Sequence, residues 1–204
     1  MALQANAQQQ KISVLVVCTG NICRSPLAEQ LLRREAVLAG LDQQMSFESA
    51  GTYAEIGSLT HSKTIESAAL RGVSIEPTAS KQLTSQMIED ADLVLTATAE
   101  HRLFAIEQVP SANRKTYTLK EFARIAGFFA GDLSHLDPML QKAISQADGH
   151  SGRLSAIAKY RGYAPKPEAG EDILDPYGRN PDVFTVVTDE LLELSRVIIS
   201  AFND

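Results

Sequence analysis

Residues 13–34 read SVLVVCTGNICRSPLAEQLLRR. Just upstream and into it, Ile12 to Val17 is a short apolar run rich in β-branched residues, the pattern of a strand buried on both faces. Downstream, Pro26 to Ala39 carries Leu27, Leu31, Leu32 and Leu38 with Gly40 as a stop, which predicts a helix. Ser25 suits its N-cap and Pro26 its first helical position. A buried strand running through a tight turn into a helix is the unit from which parallel sheets are built. Both cysteines of the chain, Cys18 and Cys23, fall inside that turn.

The same alternation continues outward. A second strand is expected to end in FESAG (47–51), followed by a helix from about His61 to Arg71 stopped by Gly72. ADLVLTA (91–97) reads as a third buried strand, with a helix near Glu100 to Glu107 after it. Arg114 to Thr118 reads as a fourth strand and Asp182 to Phe202 as the last helix. Strands alternating with helices predict an α/β three-layer sandwich, a parallel sheet covered on both faces. Residues 119–171 break the rhythm with a helical piece, KEFARIAGFFAGD, then a polar stretch, then a Pro/Gly loop. Arg153 to Lys166 holds four basic residues, Arg153, Lys159, Arg161 and Lys166, and no acidic one. They form either a solvated helix and linker or a substrate-guiding rim.

Composition limits the chemistry. The 204 residues are 44% hydrophobic and 22% charged, as in a soluble one-domain protein. A net charge of −6 argues against nucleic acid as the partner. No apolar run approaches the roughly 20 residues of a membrane-spanning helix, and MALQANAQQQK reads as a polar tail rather than a leader. Two cysteines in such a chain suit a reducing cytoplasm and thiol chemistry.

A loop between a parallel strand and the following helix lies at the carboxyl edge of the sheet, where ligands bind. Its outward N–H groups and the helix N-terminus form an anion cradle. Gly20 and Asn21 tolerate the left-handed angles that so tight a curl requires. With Cys18 at the strand exit and Arg24 six residues on, the loop can wrap a tetrahedral oxyanion between sulfur and a guanidinium fork. That field, together with a hydroxyl from Ser25, favours Cys18 as a thiolate aimed at phosphorus. Asp175 in DILDPYGR is the best candidate for an acid that protonates the leaving oxygen, with Tyr177 and Tyr53 as walls for an aromatic ring. The histidines, His61, His101, His135 and His150, are scattered and read as surface or packing residues. No metal-ligand spacing is present in the sequence, and no cofactor is expected.

On these residues the chain resembles the low-molecular-weight protein tyrosine phosphatases. CTGNICRSPLAE (18–29) is similar to that family's signature, SAGT (49–52) to its second strand exit and DPYG (175–178) to its acid loop. The resemblance covers about 12–118 and 172–202 and implies a four-stranded parallel sheet between helices. It implies Cys18 as nucleophile, Arg24 as phosphate clamp and Asp175 as general acid. Thr19, Gly20, Asn21, Ile22, Cys23 and Ser25 complete the phosphate loop, and Cys23 is implied as a redox partner for Cys18. The implied partner is a phosphotyrosine-containing protein, with phosphate or another tetrahedral oxyanion in the site. Residues 12–204 then form one domain with an insertion at about 119–171 and a flexible tail at 1–11. Many family members carry a histidine supporting the loop asparagine where this chain has Thr78 in TASKQL. Three alternatives stay open: an arsenate reductase recycled by a small thiol, a protein arginine phosphatase, and a non-catalytic phosphate-binding module. The thioredoxin-linked reductases need cysteines beyond Cys23, and arginine phosphatases carry a small polar residue where Ile22 stands.

Overall fold

The computed structural model describes residues 11–147, 149–167 and 170–203. Of the tail expected at 1–11, residues 1–10 lie outside the described residues. Four strands, β1 (Ile12–Cys18), β2 (Met45–Gly51), β3 (Leu93–Thr96) and β4 (Thr116–Thr118), pair in parallel in the order β2-β1-β3-β4. The helices are α1 (Arg24–Leu38), α2 (Ser62–Ala69), α3 (Ser85–Asp90), α4 (Ala99–Gln108), α5 (Leu119–Ala130), α6 (Pro138–Ser145), α7 (Gly149–Tyr160) and α8 (Pro181–Ser200).

Because strand side chains alternate, β1 feeds two cores. Val14, Val16 and Cys18 face one core, with Leu27, Leu31 and Leu32 of α1, Phe122 and Ile125 of α5, and Leu191 and Ile198 of α8. Leu15 and Val17 face the other, with Ile88 of α3 and Ala105 of α4. Removing a leucine such as Leu31 from water stabilises the fold by roughly 1.5–3 kcal/mol. Helix α8 lies across α1, α2 and α5 and closes the larger core.

The strand order fixes where a ligand can bind. The chain leaves β1 for β2 on one side and returns to β3 on the other, so a crevice opens at the carboxyl end of β1. Cys18 is the last residue of that strand.

Several boundaries differ from the sequence reading. Helix α1 begins at Arg24, with Cys23 at the N-cap and no side-chain cap, so Ser25 is a first-turn residue rather than the cap. Its hydroxyl is used elsewhere, as the site shows. Gly20 stays outside the left-handed region; Asn21, at φ 54°, makes the turn. Helix α3, capped by Thr84, was not expected, nor was α6 in the polar stretch, whereas α7 overlaps the stretch for which a solvated helix was one of the two readings. Asp137 caps α6 and Pro138 opens it, a start signal the sequence does contain. Helix α5 is no appendage, since Leu119, Phe122, Ala123, Ile125 and Ala126 are buried in the larger core.

Candidate active site

The loop from Cys18 to Arg24 is held by the strand beside it. Backbone N–H groups of Thr52 and Tyr53 donate to the carbonyls of Cys18 (2.9 Å) and Thr19 (3.0 Å), and His61 N–H donates to the Ile22 carbonyl (2.8 Å). Gly51 makes this approach possible. A Cβ there would lie 2.4 Å from the Thr19 carbonyl oxygen and 3.0 Å from Asn21 N. Gly51→Ala should therefore push the loop off its geometry and lower kcat/KM for a small aryl phosphate on the order of 10²-fold, the scale of an ångström-sized misplacement. Activity within twofold of wild type would show that the loop adjusts freely.

Asn21 locks the loop from within. Its Nδ2 donates to Ser25 Oγ (2.9 Å) and Ser49 Oγ (2.9 Å), and Lys81 N–H donates to its Oδ1 (2.8 Å). Ser49 in turn donates to Glu29 Oε2 (2.7 Å). Since a carboxylate only accepts, the direction of the chain is fixed from Glu29 inward. Ser25 Oγ accepts from Asn21, which leaves its proton for Cys18 Sγ at 3.0 Å in preference to the Ala50 carbonyl at 3.5 Å. A hydroxyl aimed in this way stabilises a thiolate. Thr78, at the position noted above, bonds to Thr60 instead, so Asn21 is supported by the Lys81 main chain and Ser49.

Arg24 is 4% exposed and lies against the loop. Nη1 donates to the Ile173 carbonyl (3.3 Å), and Nη2 to Thr19 Oγ1 (3.4 Å) and Asp175 Oδ2 (2.8 Å). Its buried Nε has no partner among the described residues. An unpaired buried donor costs about 1–3 kcal/mol, a cost that an oxyanion in the cradle would remove. The acid segment is anchored across the sheet: Ile173 N–H donates to the Ala97 carbonyl (2.7 Å), and Asp172 accepts from Ala99 N–H (2.7 Å). Asp175 Oδ1 also accepts from Tyr177 N–H (3.2 Å), which tightens the turn.

Cys18, Thr19, Gly20, Ile22, Cys23, Arg24, Asp175 and the two tyrosines, Tyr53 and Tyr177, line one cavity of about 200 Å³ with Glu55 at its side. Every residue expected there from the sequence lines it, except Asn21 and Ser25, which act from behind. Arg153, Lys159, Arg161 and Lys166 do not line it. Arg153 donates to the Ala201 carbonyl (3.0 Å), Arg161 lies over Tyr117, and Lys159 faces the starts of β3 and β4, the opposite edge of the sheet. Arg153, Lys159 and Arg161 therefore form no rim around this cavity. Burial pushes the Cys23 thiol up to about 11, so it stays protonated in the resting site.

His101 is the site residue that the sequence reading missed. It is 6% exposed, and its ring bridges Thr98 and Thr19. His61 was also set aside, yet its ring stacks on Phe184 and meets Tyr177 edge-on.

The low molecular weight phosphotyrosine protein phosphatase family matches residues 13–143. A low molecular weight protein-tyrosine-phosphatase of Escherichia coli K12, Etp, is 38% identical over 110 residues, 54% of this chain and 70% of its own. A protein-arginine-phosphatase of Bacillus subtilis is 28% identical over 185 residues, 91% of this chain and 93% of its own. The crystal structure of the Erwinia amylovora tyrosine phosphatase AmsI superposes with a TM-score of 0.66 at 25% identity, covering 96% of this chain and 95% of the other. The family match spans more than half of the 204 residues and includes the whole strand–loop–helix unit. The chain belongs to the low molecular weight phosphotyrosine protein phosphatase family.

Proposed function

We propose that this chain hydrolyses phosphotyrosine in proteins, and small aryl phosphates, through a phosphocysteine intermediate. Cys18 Sγ attacks phosphorus in line while Asp175 gives its proton to the phenolic oxygen, which leaves. Water then attacks the phosphocysteine, Asp175 takes a proton from it, and inorganic phosphate departs with the thiolate restored. Arg24 and the loop N–H groups carry the charge on the phosphoryl oxygens. With an oxyanion seated, the Arg24 Nη2 donor that holds Asp175 passes to it, and Asp175 is released toward the leaving group.

The observation that carries the tyrosine reading is the cavity wall: Ile22, Tyr53 and Tyr177 give an apolar slot above the sulfur for an aryl ring. One observation favours the arginine reading, since Glu55 lines the same cavity and a carboxylate there would pair a guanidinium. Phosphotyrosine peptide, phosphoarginine protein and arsenate, compared side by side, separate the readings. Phosphotyrosine should be the fastest by kcat/KM. Faster phosphoarginine hydrolysis, or arsenate consumption without aryl phosphate turnover, would overturn the assignment. Residues 12–204 act in this reading as one domain, with 119–171 as the part set apart from the shorter family members. A reducing cytoplasm is the compartment it suits, and both cysteines are free thiols.

Cys23 is assigned a protective role. Peroxide oxidises the Cys18 thiolate to the sulfenic acid; the Cys23 thiol attacks that sulfur, water leaves, and a disulfide results that a dithiol reduces. Cys23→Ser should be nearly fully active when reduced but should recover poorly after peroxide followed by dithiothreitol. Phosphate in the cradle should protect both forms. Recovery equal to wild type would leave Cys23 as a packing residue.

A further inference from the structure

The amino-terminal part of α4 touches the candidate site at three points. Ala97 and Ala99, on either side of the cap Thr98, bind the acid segment through Ile173 N–H and the Asp172 carboxylate. Phe104, on the first turns of α4, meets Tyr53 edge-on with ring centroids 5.7 Å apart. Between these lies His101, whose Nδ1 is 2.7 Å from Thr98 Oγ1 and whose Nε2 is 2.8 Å from Thr19 Oγ1. Thr19 Oγ1 is also the acceptor for Arg24 Nη2.

We propose that His101 is a positioning residue for the oxyanion clamp: pinned by Thr98, its ring fixes the Thr19 hydroxyl, and that hydroxyl fixes the terminal nitrogen of Arg24. The inference rests on the phosphatase reading of the same site and deepens it.

One proton arrangement, a neutral ring with its proton on Nε2, links these groups in a single chain of donors. Arg24 can only donate, so Thr19 Oγ1 accepts from it. The backbone N–H of His101 donates to Thr98 Oγ1 (3.3 Å), and in the tautomer assigned here the Thr98 hydroxyl donates to Nδ1. Nε2–H then donates to Thr19, whose own proton is left to point at an oxygen in the cradle. Thr19 thereby becomes a further donor to the bound oxyanion, placed by a side chain that never touches it. Burial, and then the Arg24 charge, lower the His101 pKa to about 4, which keeps the ring neutral across the working range of pH.

The test uses four variants of the full chain: His101→Phe, which keeps an aromatic ring of similar size, Thr19→Val, Thr19→Ser and the His101→Phe/Thr19→Val double. Each is assayed with p-nitrophenyl phosphate and for inhibition by inorganic phosphate and vanadate. Wild-type turnover tests the phosphatase reading by itself; the variants are judged relative to wild type. His101→Phe and Thr19→Val should each raise KM and the phosphate inhibition constant about 3- to 10-fold, the span of one lost hydrogen bond, with kcat changed less. Thr19→Ser, which keeps the hydroxyl, should recover most of the loss seen in Thr19→Val. The double should be no worse than either single, because all three break one chain. A residue that only supports the fold would lower kcat through a smaller active fraction and leave KM and phosphate inhibition unmoved. That pattern, or additive losses in the double, would overturn the proposal. Should the wild type bind phosphate but fail to turn over the ester, the inhibition or binding constants still test His101 while the phosphatase reading falls.

Discussion

Cys18→Ser should abolish turnover of aryl phosphates, by on the order of 10⁴-fold or more, while phosphate and vanadate binding stay within several-fold of wild type. The size follows from the role. Removing the nucleophile of a unit that acts together removes the covalent route, and the losses for such groups reach that scale. The retained binding follows from the geometry. Arg24, 4% exposed and anchored by Ile173, and the loop N–H groups hold the oxyanion without help from the sulfur. A serine hydroxyl at this position would keep the contact to Ser25 but would not be ionised, so it attacks phosphorus poorly. Steady-state assay with p-nitrophenyl phosphate, with vanadate binding on the same preparation, reads both halves. Substantial residual activity would remove Cys18 from the mechanism, whereas lost binding with lost activity would point to a collapsed loop.

The parts of this site that were legible in the sequence are the local ones. Cys18, Arg24 and the strand–turn–helix around them lie in one contiguous stretch, residues 12–38, so β-branched periodicity and spacing suffice to place them. Ser25 was legible as a residue worth noting but not in its role, because a serine at a helix start can cap the helix or turn back to the loop. Here the helix begins at Arg24, two residues before Pro26, and the hydroxyl faces Cys18. The support of Asn21 was hidden for a different reason: it comes from a main-chain N–H, that of Lys81, which leaves no mark on residue type. His101 stayed hidden because its partner is 82 residues away and is set by β1 lying beside β3, a pairing no local pattern encodes. In residues 131–160 the apolar positions come in short groups separated by polar residues, so no single period runs through the segment. The Asp137–Pro138 start and the spacing of Met139, Leu140, Ala143 and Ile144 do mark α6, but over only eight residues.

Asp175→Asn should slow hydrolysis of esters with poor leaving groups by about 10²–10⁴-fold, the share a general acid contributes. The substitution keeps the shape of the side chain and an oxygen for the Tyr177 N–H, so the turn should persist. What it removes is the proton and the charge. Loss of the proton matters in proportion to the basicity of the departing oxygen. A nitrophenolate leaves without protonation, so the deficit should shrink toward tenfold or less along a series of increasingly acidic phenols. Loss of the charge acts on the ground state in the opposite sense. Asp175 holds Arg24 Nη2 at 2.8 Å and competes with an incoming oxyanion for that donor. Its side chain is about half exposed, so the competition is screened, and phosphate binding in the variant should be equal to wild type or slightly tighter. A folding defect would instead depress all substrates alike and weaken phosphate binding. The two readouts, the slope against leaving-group acidity and the phosphate affinity, therefore separate an acid from a strut. A flat slope with weakened binding would assign Asp175 to the scaffold, and the proton would then have to come from another group at the cavity, with Glu55 the remaining carboxylate in its lining.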